Sequence, residues 1–296
     1  MQRQHEQPLK ARIVMTESDF TQTVLGNTGI NVHRLGFSGT YRPGKETIYR
    51  ALDAGINYFF GYGFDTQVVK VVRDVIKSGR DKVVIATGAY NLLLGHPNLR
   101  RTLEKRLRQF STDYIDVFLF LGITKPKHLT DHVLEELNKF RQEGKIRATG
   151  ISTHNRKFAG ELASKGLLDL FMIRYNAAHR GAEEDVFPYL KEHNPGVVGY
   201  TATRWRYLLK RPKNWPQEEQ IPTAGQCYRF VLTNPNIHVC MTAPSNIKQL
   251  NENLEALQQG PLTEDEMKFM HSFGDEVHHT KRWFMGKDHS ATEVSK

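Results

Sequence analysis

A chain of 296 residues, 39% of them hydrophobic, fits one barrel-sized core of roughly 250 residues plus extensions better than two small domains. Its net charge of +9, from 41 Lys+Arg against 32 Asp+Glu, favours anionic partners in general. Two cysteines, Cys227 and Cys240, give neither a disulfide framework nor a metal-ligand spacing, and no apolar run approaches the ~18 residues of a membrane span. The expectation is a cytoplasmic chain with no metal and no membrane partner.

Residues 1–20 are polar and mixed in charge, without the apolar core of a signal peptide, and predict a disordered or loosely packed arm. A hairpin follows, with strands over 23–25 and 30–32. Gly26-Asn27-Thr28-Gly29 supplies the positive φ angles of its turn. Short apolar runs then recur about every 30 residues, at 34–37, 56–60, 83–87, 115–121, 148–152, 170–175, 197–201 and 239–242. Amphipathic segments alternate with them, at 47–54, 68–77, 99–110, 133–142, 158–165, 186–193, 226–232 and 247–257. Continuous apolar strands alternating with helices predict an α/β fold with a parallel sheet. Eight such units predict closure into a (β/α)8 TIM barrel. An open doubly wound sheet is the weaker alternative, because no Gly-x-Gly-x-x-Gly follows any strand.

Much of the excess positive charge sits on Arg100, Arg101, Lys105, Arg106 and Arg108, at helical spacing opposite Leu99, Leu103 and Leu107. That pattern predicts a solvated helix face. Without interleaved aromatics or a recognisable module, it does not predict nucleic-acid binding. The stretch 203–220, with Arg204, Trp205 and Arg206, is a long connection between the seventh strand and its helix, and loops of that length are usually functional. An extra helix is expected over 263–283, capped by Thr263 with Glu266 completing a capping box, and a flexible tail over 284–296. No linker divides 21–283, which predicts a single barrel domain.

Four motifs occur in order: Leu25-Gly26-Asn27-Thr28-Gly29-Ile30-Asn31-Val32-His33-Arg34-Leu35-Gly36, Tyr114-Ile115-Asp116, Gly150-Ile151-Ser152 and Glu252-Asn253. Together they resemble the aldo-keto reductase superfamily over nearly the whole chain, and Ser152-Thr153-His154 with Arg174-Tyr175-Asn176 looks closest to its divergent bacterial branch. The resemblance implies a barrel that binds NADP(H) across its C-terminal rim, where barrel chemistry resides.

It also implies a catalytic Asp-Tyr-Lys-His tetrad, most of which is missing. The aspartate position in Ala54-Gly55-Ile56-Asn57-Tyr58-Phe59-Phe60 is Phe60, the lysine position in Thr87-Gly88 is Gly88, and the histidine position is Leu121. Tyr62 is the candidate for the catalytic tyrosine, although it lies three residues nearer the strand than the family spacing. Asp65 is expected to cap the second helix rather than to act in catalysis. An unassisted tyrosine has a pKa near 10, so losing its lysine should remove much of the ~10²–10⁴-fold that acid–base help provides.

Replacement chemistry is expected from polar and cationic groups at the strand ends: His154, which titrates near neutral pH, and Arg174, with Tyr90, Asn91, Asn176, His179, Arg180 and Arg204 around them. Such a mouth suits an anionic or oxygenated small molecule, gripped bidentately by Arg174 or Arg204. For the cofactor, the resemblance assigns Ser152 and Thr153 to the nicotinamide amide and Tyr200 to stacking, while Met172 replaces an amide-bearing glutamine. Arg204, Ser245, Lys248, Glu252 and Asn253 complete the expected cofactor set. Lys248 stands beside Gln249, where an arginine often grips the 2′-phosphate, so NAD(H) stays open as the alternative to NADP(H). The leading expectation is an NADP(H)-dependent oxidoreductase with rebuilt proton delivery. The alternatives are an inactive NADP(H)-binding regulatory or scaffold protein, with a protein partner, and a lyase- or isomerase-type enzyme that uses no nicotinamide.

Overall fold

The computed structural model describes residues 20–61, 65–90 and 98–280. The tail over 284–296, residues 1–19 of the expected arm, Tyr62 and Asn91 lie outside the described residues.

Eight parallel strands close into a barrel in the order β10-β3-β4-β5-β6-β7-β8-β9. They are β3 (Leu35–Ser38), β4 (Tyr58–Phe60), β5 (Val84–Tyr90), β6 (Ile115–Leu121), β7 (Ile146–Thr153), β8 (Leu170–Arg174), β9 (Gly196–Tyr200) and β10 (Val239–Thr242). An antiparallel hairpin, β1 (Gln22–Val24) and β2 (Asn31–His33), precedes them with Thr23 opposite Val32. Its Leu25, Ile30 and Val32 join the cluster inside the barrel, so the hairpin plugs one end.

Side chains alternate across each strand. Val117, Leu119 and Leu121 fill the barrel interior, whereas Phe118 and Phe120 pack beneath the surrounding helices. Burial of both faces is why these strands are continuous apolar runs rather than alternating ones.

The outer layer comprises α1 (Lys45–Asp53), α2 (Thr66–Ile76), α3 (Leu99–Phe110), α4 (Asp131–Gln142), α5 (Arg156–Ser164), α6 (Ala182–Asp185), α7 (Ala224–Thr233), α8 (Ile247–Leu257) and α9 (Glu264–Thr280). Asn98, Thr130, Asn155, Thr223 and Asn246 each accept a backbone N–H of the helix they precede. The capping box expected on α9 is present: Glu266 N donates to Thr263 Oγ1 at 3.2 Å, and Thr263 N to Glu266 Oε2 at 2.9 Å.

Three local expectations are corrected. The helix expected over 186–193 is instead the single turn α6 followed by a 3-10 turn, Phe187–Tyr189. Pro188 has no N–H to give, and its ring would clash with the carbonyl one turn back. Arg106 is buried rather than solvated and donates to Gln109 Oε1 at 2.7 Å. Asp65 stands at the N-cap position of α2 but makes no side-chain bond into the helix.

The long connection after β9 carries three consecutive left-handed residues, Arg204, Trp205 and Arg206, at φ 48°, 50° and 70°. Each such conformation costs about 1–2 kcal/mol for a residue with a Cβ, so tertiary contacts must hold it. Arg204 donates to the Val277 carbonyl in the last turns of α9, and Trp215 packs edge-on against Phe273 with centroids 4.8 Å apart. The start of α9 is fixed in turn by Arg229, which is buried and donates to Gly260 O at 2.8 Å and Glu266 Oε1 at 2.7 Å.

Candidate functional site at the C-terminal rim

Alternation decides which strand-end residues face the mouth. Ser152 shares a face with Ala148, Arg174 with Leu170 and Met172, and Tyr200 with Val198, and those neighbours belong to the barrel interior. Register then aligns them, with Arg174 opposite Tyr200 and Ser152 opposite Met172. Just past β7, His154 places Nδ1 3.2 Å from the Tyr200 hydroxyl, and the two rings meet edge-on. Gly122 N donates to Ser152 Oγ at 3.4 Å, and Tyr90 stands 40% exposed at the end of β5.

The electrostatics follow from this grouping. Burial lowers the pKa of His154, and the neighbouring Arg174 lowers it further, so its imidazole is neutral near pH 7. Burial holds the Tyr200 phenol above its ordinary range, with Arg174 partly offsetting this and Tyr90 adding to it. Behind them, His179 is pushed down to about 2, first by burial and then by Arg174, Arg204, His278 and Arg156.

Beneath the rim lies an apolar floor. Leu121 is buried within the interior cluster, and Phe60 and Met172 pack against it. At Gly88, a Cβ would stand 2.1 Å from the Leu119 carbonyl oxygen. A side chain at Gly88, the position that the resemblance gives to a lysine, would therefore meet the backbone of the neighbouring strand.

The other expected cofactor residues sit as follows. Thr153 lies on the outer face of β7, buried, where its hydroxyl accepts the Asn155 N–H at 2.9 Å. That bond sets up Asn155 as the cap of α5, so the Thr153 side chain does not line the mouth. Arg204 is likewise taken up by Val277, which assigns it to anchoring α9 rather than to an open groove. Asn253 is buried, with its amide on Thr242 Oγ1 at 3.2 Å, and the Thr242 hydroxyl bonds Tyr228 at 3.0 Å. Ser245 N donates to Gln249 Oε1 at 2.8 Å, while Lys248 and Glu252 are exposed and 4.0 Å apart.

Sequence reasoning missed two features. The Tyr200–His154 contact joins residues far apart in the chain, and no local spacing signals it. The closed lysine position was signalled by Gly88 itself, because a glycine inside a strand often marks close backbone approach.

Among the described residues, no group of three His, Cys, Asp or Glu side chains is arranged to hold a metal ion, and no helix is long and apolar enough to cross a membrane.

Comparison with known proteins places this geometry in context. The chain is 25% identical to the uncharacterized oxidoreductase YqkF of Bacillus subtilis (strain 168), over 87% of this chain and 96% of that protein. It superposes on the holo form of the aldo-keto reductase AKR11C1 from Bacillus halodurans with a TM-score of 0.72 at 23% identity, covering 86% and 96% of the two chains. It superposes on an aldo/keto reductase from Klebsiella pneumoniae, in complex with NADP and acetate, with a TM-score of 0.70 at 20% identity, covering 86% and 95%. At these identities the two structures speak for the fold. The profile of the Aldo/keto reductase family matches residues 40–213, more than half of the sequence, and the chain belongs to that family.

Proposed function

We propose that this protein is an NADP(H)-dependent oxidoreductase that reduces a small carbonyl compound, anionic or oxygenated, with its proton delivered by residues other than the family set. The observation that carries the reading is the hydrogen bond between Tyr200 and His154, at the rim and beside Arg174.

The residues present suit a nicotinamide. Tyr200 offers a flat aromatic face, and Ser152 offers a hydroxyl for a carboxamide on the same side of the barrel. Relatives such as the Klebsiella pneumoniae enzyme complexed with NADP support the choice of dinucleotide. Lys248, Glu252 and Ser245, at the start of α8, are the groups that would meet its far end, with NAD(H) as the alternative cofactor. Bound here, NADP(H) supplies a hydride. The Tyr200 hydroxyl and the neutral His154 imidazole share a hydrogen bond through which a proton can be held, and the positive charge of Arg174 favours the deprotonated phenol. Tyr62, which lies outside the described residues, is proposed as a further candidate proton donor, and His154 and Arg174 as the other catalytic residues. Burial raises the Tyr200 pKa, which makes the phenol a weaker acid for this step.

A second reading, an inactive NADP(H)-binding regulatory or scaffold protein, is favoured by the closed lysine position at Gly88 and the apolar floor of Phe60 and Leu121. Both readings are tested by titrating the purified protein with NADPH and NADH, then adding aldehydes, ketones and quinones from pH 5 to 9. Cofactor oxidation above buffer supports the enzyme. Tight cofactor binding without oxidation supports the scaffold.

A further inference from the structure

The end of the barrel opposite the rim carries a cleft of about 320 Å³, within the size range of small-molecule sites. It lies between the C-terminal ends of α1 and α8 and is bordered by the hairpin. Polar side chains reach it with bonding capacity left over. His33 is 3% exposed, and its Nδ1 accepts the Leu35 N–H at 3.0 Å. In the tautomer that this bond requires, Nε2 carries the proton, and no acceptor for it occurs among the described residues. Arg50 donates from Nε to Asn251 Oδ1 at 3.0 Å, which pins the guanidinium to α8. Its two terminal amino groups have no acceptor among the described residues. Glu255 stands one turn beyond Asn251 on the same face of α8, and it makes no ion pair among the described residues. Leu254 and the buried Leu257 supply the apolar wall.

The charges in this cleft are of both signs. Arg50 favours an anion, whereas Glu255 and the C-terminal ends of two helices, each carrying roughly half a negative charge, favour a cation. A simple anion would meet Glu255 and the helix ends, and a simple cation would meet Arg50. A molecule that carries both charges close together satisfies both.

We propose that this cleft binds a small zwitterion of the α-amino acid class. Its carboxylate sits on Arg50 and the His33 Nε2–H, its ammonium on Glu255, and its side chain against Leu254 and Leu257. With Nε engaged by Asn251, the guanidinium presents its two terminal amino groups, an edge that matches a carboxylate with two parallel hydrogen bonds. Barrel chemistry resides at the other end, so the molecule is held here rather than turned over. The site stands apart from the rim, and failure of the oxidoreductase reading leaves it untouched.

The experiment is a calorimetric titration of the full chain near neutral pH, without cofactor. The probes are norvaline, valerate, which lacks its ammonium, and butylamine, which lacks its carboxylate. Losing a charge-assisted hydrogen bond weakens binding on the order of 10–100-fold, so norvaline should bind at least ~10-fold tighter than either of the others. Glu255→Gln should erase the advantage over valerate. Arg50→Gln should erase the advantage over butylamine, and Arg50→Lys should keep part of it. Arg50 also ties α1 to α8, so its variants are checked by thermal melts, and the exposed Glu255 carries the test should Arg50→Gln unfold. Amide hydrogen exchange gives the location, with protection gained by norvaline in the last turns of α1 and α8. Absence of norvaline binding at millimolar concentration, equal binding of norvaline and valerate, or an unchanged preference in Glu255→Gln overturns the proposal. So does protection gained at the rim instead of at these helix ends.

Discussion

The position of a Cβ on Gly88 coincides with the backbone of Leu119: it falls 2.1 Å from the Leu119 carbonyl oxygen, far inside contact distance. The obstacle is a strand rather than a side chain that could swing aside. Rebuilding the family machinery as Phe60→Asp, Gly88→Lys and Leu121→His therefore fails. Overpacking of this kind costs about 1–3 kcal/mol, and three polar groups are added to an apolar interior. The triple variant melts below the native protein and gains no NADPH oxidation. Gly88→Ala alone already lowers the melting temperature.

If the rim carries out the chemistry, Tyr200→Phe keeps the aromatic face and removes the proton. We expect turnover to fall by about 10²-fold or more, with the NADPH dissociation constant changed by less than about threefold. Unchanged turnover in a stopped-flow assay would place proton delivery elsewhere. His154→Gln should lower turnover as well and flatten its dependence on pH below neutrality, because burial and Arg174 hold the imidazole pKa below its ordinary value of 6.5.

The protein should lose stability in mild acid. His33 accepts the Leu35 N–H at 3.0 Å and His238 accepts the Val197 N–H at 3.1 Å, so both rings must be unprotonated at Nδ1. Burial, foremost, lowers His33 and brings His238 down to about 4. A histidine with a depressed folded pKa binds more protons when unfolded. Its contribution is complete above an unfolded value near 6.5 and falls away as pH drops through that value towards the folded one. The slope reaches at most about 1.4 kcal/mol per pH unit for each such group. Urea melts at pH 7, 5.5 and 4.5 should show a falling midpoint, with a shallower fall in His238→Gln.

Asp116 is the fourth test. It is 1% exposed in β6 and accepts from Arg80 at 2.7 Å, Arg147 at 2.9 Å and the Ile85 N–H at 2.8 Å. Asp116→Ala leaves the buried Ile85 N–H without its acceptor and takes the carboxylate from Arg80 and the half-exposed Arg147, a loss of about 1–3 kcal/mol that chemical denaturation would detect. An unfolding midpoint within error of the native protein would mean that solvent reaches this cluster.

Most of the architecture was legible because it rests on periodicity. The strands expected over 115–121 and 239–242, and the helices over 99–110 and 247–257, match β6, β10, α3 and α8 residue for residue. Local chemistry carried the α9 capping box as well. Expectations failed where a single residue overrode the pattern, as Pro188 did in the 3-10 turn after α6, or where tertiary packing did, as at Arg106. At the rim, the family resemblance pointed to Ser152, Thr153 and Tyr200 and the strand end to Arg174; alternation along the observed strands turns Ser152, Arg174 and Tyr200 inward and places Thr153 on the opposite face. Arg204 and Asn253 carry the residue types of a binding site, and their partners, Val277 and Thr242, come from packing that no motif encodes.

The layering of Phe60, Leu121, Met172 and Met241 below a guanidinium and an imidazole has a directional consequence. We expect a ligand taken at this rim to turn its apolar part toward these thioethers and rings and its polar part toward the imidazole, so that its orientation is set before any bond changes.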